Sequence, residues 1–377
     1  MNDKNNPEKY NIFRIFIKGI LLFLILNFLF IGINQLPLGK ITFYNLLFPG
    51  RERFPFGENP SQSYNLTINN IDAMFSSLKI DKQKKKDDEF RILFVGDSSV
   101  WGSLQSNSET LVGQINHLYL KTCNGLNVKA YNLGYPTLSI LKDLLVIDKS
   151  LSYQPDLIIW LVTLESFPRI NQLTTPLLAN NPSEAKKIIN KYSLGDSYQN
   201  KIIDNNYWDQ TLIGQRRNIA DLFRLQSYGI LWAATGIDQN LTLPFTPAKQ
   251  DFENDDSFHE LGQHLFNETE LSFDVIEKAV NRIDVPIILI NEPILISNGK
   301  NSNIRYDYYY PRWAYDQYRV LLKTQMIKFN VPYYDFYDLV PENLFTNSAI
   351  HLNSAGETIL TQKVAEIING ESCHLEY

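Results

Sequence analysis

Short apolar runs alternate with stretches of helical apolar spacing along the chain after residue 89. The runs predicted to be strands are Arg91–Val95, Val128–Asn132, Leu157–Val162, Val285–Ile290 and Pro332–Phe336. Runs that are apolar on both faces are typical of central strands in a parallel sheet covered by helices. The alternation of strand and helix therefore predicts a three-layer, doubly wound α/β sheet.

The predicted helices lie between and after these strands. They are Glu109–Cys123, Leu138–Ser150, Trp313–Lys328 and Ser354–Ile368, the last with Ser354 as its N-cap. A long interruption, residues 167–283, separates the third and fourth strands and contains two further helical stretches, Ser183–Tyr192 and Ile219–Gly236. The second stretch is too short and too charged for a membrane span. We predict that it packs on the domain; a lid, or a surface facing the membrane or a partner, is the alternative.

The N-terminus carries an uncharged apolar segment, Gly19–Leu36. At 1.5 Å per residue its length is about 27 Å, close to the hydrocarbon thickness of a bilayer. The basic residues before it, Lys4, Lys9, Arg14 and Lys18, predict a cytoplasmic N-terminus and a single-pass protein whose main domain lies outside the cytoplasm. A cleaved signal peptide is the alternative, although no A-x-A-like site follows.

These patterns divide the chain into an N-terminus with its anchor (1–36), a linker (37–89) and an α/β domain (90–377) with an insertion at about 167–283. The formal net charge of −6 argues against a nucleic-acid partner. Cys123 and Cys373 either form one bridge or remain two thiols. Because neither metal-ligand spacing nor a glycine-rich phosphate loop is present, we expect no metal and no cofactor.

A candidate nucleophile follows the first strand directly, in Gly96-Asp97-Ser98-Ser99. Ligands of open parallel sheets bind outside the carboxyl ends of the strands. A serine at such a strand end, next to a helix start, has its hydroxyl in the crevice and backbone N–H groups nearby. Those donors can hold the negative oxygen of a tetrahedral intermediate. Asp97, beside the serine, is a candidate substrate-binding residue.

With two further motifs, the sequence resembles the SGNH, or GDSL, hydrolase family over residues 90–164 and 285–368. One motif is Tyr131-Asn132-Leu133-Gly134-Tyr135-Pro136, and the other is the stretch from Ser348 to Gly356 around His351. The resemblance implies a flavodoxin-like fold with Ser98 as nucleophile and His351 as base. It also implies that the backbone N–H groups of Ser98 and Gly134 form the oxyanion hole.

Two positions depart from the family pattern. Glu165 lies at or near the position of an asparagine that donates to the oxyanion, and Ser348 occupies the position of the acid that orients the histidine. Glu165 can donate if it is protonated, contact His351, bind another group, or be a satisfied polar residue. The candidate replacement acids are Glu292 and Glu165. A Ser98–His351 dyad oriented by a backbone carbonyl or by Asn347 is also possible.

An aromatic stretch, residues 305–313, follows the fourth strand. Tyr308 and Trp313 are candidates to hold a sugar ring or an acyl chain, although plain packing explains them equally well. The resemblance implies a serine esterase or O-acyltransferase with an acyl-serine intermediate. With its anchor, the chain further resembles membrane-tethered members of this family, which implies acylated cell-envelope polysaccharide as a candidate substrate and a membrane-embedded acyltransferase as a candidate partner. A catalytically weak relative that binds polysaccharide or such a partner is the alternative.

Overall fold

The structure is a computed structural model. It describes residues 11–33, 43–47, 50–56, 70–195, 198, 206–236, 239, 244–267 and 269–374. The end of the predicted anchor (residues 34–36) and residues 37–42, 48–49 and 57–69 of the predicted linker lie outside these ranges.

Five parallel strands form the central sheet. They are β1 (Glu89–Val95), β2 (Asn127–Asn132), β3 (Leu157–Val162), β4 (Ile287–Asn291) and β5 (Tyr333–Asp335). Their order across the sheet is β2-β1-β3-β4-β5. All residues of β1, β3 and β4 are buried, which explains why these strands are apolar on both faces. The predicted doubly wound parallel sheet is therefore confirmed, and its order reverses at β1, where such sheets bind ligands.

The helices cover both faces of the sheet. In chain order they are α1 (Ile12–Ile33), α2 (Phe43–Leu47), α3 (Ile71–Ser76), α4 (Lys79–Lys82), α5 (Ser98–Trp101), α6 (Leu111–His117), α7 (Ile140–Ser150), α8 (Pro176–Ala179), α9 (Pro182–Tyr192), α10 (Arg216–Thr235), α11 (Phe273–Val280), α12 (Arg312–Phe329) and α13 (Ser354–His374). Helix α6 packs on α13, whereas α7 packs on α9 and α11. Because β1-α6-β2 and β2-α7-β3 run in opposite directions across the sheet, right-handed connections place these groups on opposite faces.

The N-terminal helix α1 contains most of the apolar segment found in the sequence, but it begins seven residues earlier, at Ile12. Residues Ile12–Gly32 are long and apolar enough to cross a membrane, judged by length and composition. Most side chains of this stretch lie on the surface of the protein, as a lipid-facing helix requires.

Residues 53–56 and helix α3 of the expected linker pack against the α/β domain, whereas the charge run at residues 81–88 is largely exposed. Phe54 is fully buried, and Phe56 contacts the rings of Trp101 and Tyr135. Helix α3 is buried along almost its whole length. The sequence pattern did not indicate this packing, because the turn residues and the charge run around these segments suggested a solvated connector.

Three local predictions have clear outcomes. The insertion contains both expected helices, as α9 and α10. Ser354 begins α13 but is not its cap, because the side chain of Asn353 accepts the N–H groups of Ala355 and Gly356. Cys123 and Cys373 form a disulfide, which fastens the chain before β2 to the end of α13.

Candidate active site

The turn after β1 presents Ser98 at the carboxyl edge of the sheet. Asp97 is the N-cap of α5, and its Oδ1 accepts the N–H of Ser99 at 2.8 Å. Ser98 is therefore the first residue of a helix, where backbone N–H groups have no intrahelical acceptor. Gly102 ends α5 with φ +87°, a conformation that favours glycine. This short helix holds the serine hydroxyl and its own N–H at the mouth of the crevice.

His351 lies within hydrogen-bond distance of Ser98. The distance from His351 Nε2 to Ser98 Oγ is 2.8 Å, although 253 residues separate the two in sequence. The loop before α13 fixes the histidine, since the N–H and the hydroxyl of Thr346 both donate to the His351 carbonyl. The structure thus brings together the two residues expected to be nucleophile and base.

The other ring nitrogen of His351 faces an amide instead of a carboxylate. Asn347 Oδ1 lies 2.8 Å from His351 Nδ1, so Nδ1 carries the hydrogen and Nε2 is free to accept one from Ser98. An amide oxygen orients the ring but adds no negative charge beside it. Desolvation lowers the pKa of the half-buried imidazole to about 4. Asn347 was one of the options that the sequence left open.

Neither candidate acid contacts His351. Glu292, at the end of β4, accepts a hydrogen bond from the hydroxyl of Ser99, and its carboxyl group contacts that of Asp97. Both carboxyls are almost fully buried. Burial and the neighbouring Asp97 raise the pKa of Glu292 well above its usual range, and burial also raises the pKa of Asp97. Two buried carboxyl groups in contact beneath the nucleophile turn disfavour the ionisation of both at once.

A buried ion pair, which the sequence reading missed, supports the same turn. Lys142 is fully buried, and its Nζ donates to the carbonyls of Gly96 at 2.8 Å and Tyr135 at 3.0 Å. Its partner Asp143, at 2.6 Å, also accepts from the Trp160 indole, and burial raises the pKa of this carboxyl to about 6. A Lys-Asp pair within the apolar run Ile140–Ile147 was the available signal.

Arg53 holds the other end of α5 and was also missed. Its buried guanidinium donates to the carbonyls of Trp101 and Gly102, both at 2.7 Å, and of Gln105 at 2.7 Å. The same group lies over the Trp101 ring, 4.2 Å from its centroid. A cation at a helix C-terminus satisfies carbonyls that have no intrahelical partner. The segment before β1 therefore helps to position the nucleophile helix.

Gly134 packs directly against the nucleophile helix. A Cβ at this position would lie 2.4 Å from the backbone nitrogen of Trp101, so no larger residue fits. Its N–H donates to Asn132 Oδ1 at 3.0 Å. An oxyanion bound by this N–H would have to replace Asn132 as its acceptor.

Glu165 lies at the end of β3 and pairs with a histidine of the insertion. The distance from Glu165 Oε2 to His259 Nε2 is 3.0 Å, and this hydrogen bond raises the pKa of His259. Both residues line a cavity of about 560 Å³, together with Tyr308 and Tyr309. The Tyr309 side chain contacts Ser348, in the loop that carries His351. The cavity thus adjoins the histidine loop.

The two aromatic candidates have different environments. Tyr308 lines the cavity and is largely exposed. Trp313 packs on His264 and Phe266 of the insertion, and its indole donates to the carbonyl of Asp256. The structure therefore brings Tyr308, and not Trp313, to the cavity beside Glu165.

A larger cavity of about 710 Å³ lies along α6 and the edge strand β2. It does not include Ser98 or His351, so its size is a poor guide to the chemistry. Within the ranges that the structure describes, no group of three or more His, Cys, Asp or Glu side chains is placed to hold a metal ion.

Comparisons with known proteins gave structural neighbours only. No protein-family model matches the sequence, and the search of curated proteins found no match. A carbohydrate acetylesterase family member from Sinorhizobium meliloti is 10% identical, with a TM-score of 0.35, over 76% of this chain and 99% of that chain. A lipase/acylhydrolase from Enterococcus faecalis is 13% identical, with a TM-score of 0.37, over 74% and 96%.

A further neighbour is a member of the lipolytic protein G-D-S-L family from Veillonella parvula. It is 12% identical, with a TM-score of 0.33, over 74% of this chain and 97% of that chain. The structures similar to this chain thus include GDSL lipolytic proteins and acetylesterases. Because the TM-scores lie below 0.5, this similarity carries no conclusion about activity.

Proposed function

We propose that this protein is a serine esterase or O-acyltransferase that forms an acyl-Ser98 intermediate. The observation that carries the proposal is the 2.8 Å contact between Ser98 Oγ and His351 Nε2, with Asn347 on the other ring nitrogen. A serine hydroxyl next to a correctly oriented neutral imidazole is an activated nucleophile.

The proposed reaction has two halves. Ser98 Oγ attacks the ester carbonyl carbon while His351 Nε2 takes the hydroxyl proton. The tetrahedral intermediate collapses, and the leaving alcohol receives that proton from His351. Water or a sugar hydroxyl then attacks acyl-Ser98, giving its proton to His351, which returns it to Ser98. The N–H groups of Ser98 and Gly134 would stabilise the oxyanion in each half.

An acylated carbohydrate is the substrate that we propose. The cavity beside the site offers the exposed face of Tyr308 for a sugar ring and the Glu165–His259 pair for hydroxyl groups. Helix α1, which is long and apolar enough to span a membrane, and the basic residues before its apolar segment support placement of the domain outside the cytoplasm. A membrane-embedded acyltransferase partner remains a prediction from the resemblance.

A catalytically weak protein that binds polysaccharide is the second candidate. Two observations favour it: the amide in place of a carboxylate on His351, and the Gly134 N–H already bonded to Asn132. Removing a triad acid or one oxyanion donor costs orders of magnitude in rate, although residual catalysis survives.

Hydrolysis of p-nitrophenyl acetate by the purified full-length protein separates the two candidates. We expect Ser98→Ala to reduce the rate to the level of the buffer. Ser152→Ala is the matched control, because Ser152 is exposed and precedes β3 at the opposite edge of the sheet. Equal rates for the wild type and Ser98→Ala would rule out acyl-Ser98 chemistry and favour the binding protein.

A further inference from the structure

The insertion contacts helix α1 at Asn27 and Phe28, a few residues before the C-terminal end of the helix. The N–H of Ile213 donates to Asn27 Oδ1 at 3.1 Å, and the rings of Tyr207 and Phe28 lie 6.3 Å apart. Asn27 is the strongly polar residue near the middle of the apolar segment, and it is 6% exposed. Its amide also donates to the Phe23 carbonyl at 2.8 Å. The segment Tyr207–Ile213 therefore satisfies a polar group that would otherwise face lipid.

The depth of this contact in the bilayer follows from the length of the apolar span. Residues Ile12–Gly32 comprise 21 residues, about 32 Å of helix, which closely matches a hydrocarbon core of about 30 Å. Asn27 lies five residues before Gly32, hence about 8 Å inside the end of the span. If the span instead extends to Leu36, Asn27 lies deeper still. In either case the segment that bonds to Asn27 lies within the membrane boundary.

The side chains around this contact have the composition of a membrane interface. Trp208 is 65% exposed, and Tyr207 and Ile213 are about half exposed. Tryptophan and tyrosine are enriched where the acyl chains meet the headgroups. The backbone at the start of the segment is capped internally, since the side chains of Asn206 and Asp209 accept N–H groups of the same turn. Such caps reduce the number of backbone polar groups that the interface would leave without a partner.

The apolar surface continues onto α10 and α2. On α10, Phe223, Ile230 and Leu231 lie on one side of the helix and are exposed, Phe223 by 71%. Helix α2 packs on α10, where Gln226 accepts the N–H of Phe43, and its exposed residues Leu46 and Leu47 extend the patch. Contiguous exposed apolar patches of this kind mark a binding surface.

We propose that the segment Tyr207–Ile213, together with α10 and α2, is inserted into the lipid leaflet on the domain side of the membrane that α1 spans. The occupant of the patch is then the bilayer itself, because the patch is continuous with a helix that lipid already surrounds. Depths of about 5–10 Å are typical of interfacial segments. Arg53, which binds the carbonyl end of α5, lies six residues after α2 in the chain. This proposal does not depend on the esterase activity.

Fluorescence quenching in nanodiscs tests it on the full-length protein. Because Cys123 and Cys373 are paired, Trp208→Cys can be labelled selectively with a nitrobenzoxadiazole dye. We expect lipids with a nitroxide at acyl carbon 5 to quench the dye at least twofold, and aqueous iodide to have little effect. Tyr119→Cys is the control, since Tyr119 is 82% exposed beyond the end of α6; its dye should show the reverse pattern.

Phe223→Cys is labelled in the same way, so that the test does not rest on one variant. Iodide quenching at both positions, with no effect of nitroxide lipid, would show that the patch faces water and would overturn the proposal. Protection from both quenchers would also overturn it, because a second copy or a protein partner would then cover the patch.

Discussion

The two sides of the nucleophile turn differ in charge. On the side of His351, the histidine meets a hydroxyl and a neutral amide, from Ser98 and Asn347. On the side of the sheet, the turn meets Asp97, Glu292 and the Lys142–Asp143 pair, all buried. The carboxyl groups of this site thus lie beneath the nucleophile, while its base has none.

In this site, two roles that a single catalytic acid usually combines are separated. A carboxylate beside a histidine orients the ring and stabilises its charged form. Here Asn347 performs the first task only, because its amide oxygen carries no negative charge, and desolvation lowers the pKa of His351. The buried carboxyls instead fix the backbone, since Asp97 caps α5 and Glu292 binds Ser99.

The largest expected effect comes from the base. We expect His351→Ala to reduce kcat/KM for p-nitrophenyl acetate by about 10³-fold or more, because Ser98 loses its proton acceptor. His117→Ala is the matched control, since His117 is exposed at the end of α6. A His351→Ala protein with the activity of the control would remove His351 from the mechanism.

The second effect concerns the buried carboxyls. We expect Glu292→Ala to cost about 3 kcal/mol of unfolding free energy, because Ser99 and Asp97 lose a buried partner. Glu292→Gln should be nearly neutral if Glu292 is protonated in the folded protein. Thermal unfolding of both variants near pH 6 measures the difference. A Gln variant as unstable as the Ala variant would mean that Glu292 is ionised.

The same carboxyl predicts a dependence of stability on pH. The pKa of Glu292 is raised on folding, so its contribution is complete below its unfolded value of about 4.5. The contribution is then lost as pH rises through the folded pKa. We expect Glu292→Gln to weaken the decline in melting temperature with increasing pH. An unchanged decline would place the cause in another group.

The third prediction concerns a carboxylate introduced beside His351. With an imidazole pKa of about 4, the acidic limb of kcat/KM should lie near pH 4, well below the pKa of an ordinary histidine. Asn347→Asp should move that limb upward by about 1–3 pH units, because a carboxylate beside Nδ1 favours imidazolium. The pH–rate profiles of the two proteins measure the shift. Identical limbs would show that residue 347 does not contact the base during catalysis.

The smallest expected effect is that of Ser99→Ala. Ser99 contacts Glu292 but not His351. Loss of this hydrogen bond should raise the activation free energy by about 1 kcal/mol, which lowers the rate roughly fivefold. The assay is the same ester hydrolysis. A loss as large as that of His351→Ala would mean that the serine roles are exchanged.

The sequence predicted the sheet well because burial on both faces leaves a continuous apolar run. Leu157–Val162 is the observed extent of β3, and β1 exceeds its prediction by two residues, Glu89 and Phe90. The early residues of β1 were missed because Glu89 is charged. The ion pair that Glu89 makes with Arg91 is visible only in the structure. Local patterns therefore suffice where a segment is uniformly buried.

Site residues that lie in recognisable sequence motifs were predictable. Contacts made by side chains outside those motifs were not. Ser98 and His351 come together as expected, but the direction of Glu292 toward Ser99 depends on which side of the strand end it faces. Lys142 and Arg53 act on backbone carbonyls, which any sequence provides, so their partners have no sequence signature.

Labelling of the full-length protein with a fluorophosphonate, followed by mass spectrometry of its peptides, tests the account most directly. We predict one adduct on Ser98, absent in Ser98→Ala and formed much more slowly in His351→Ala. An unlabelled protein, or equal labelling of the wild type and Ser98→Ala, would contradict the claim that Ser98 is a nucleophile activated by His351.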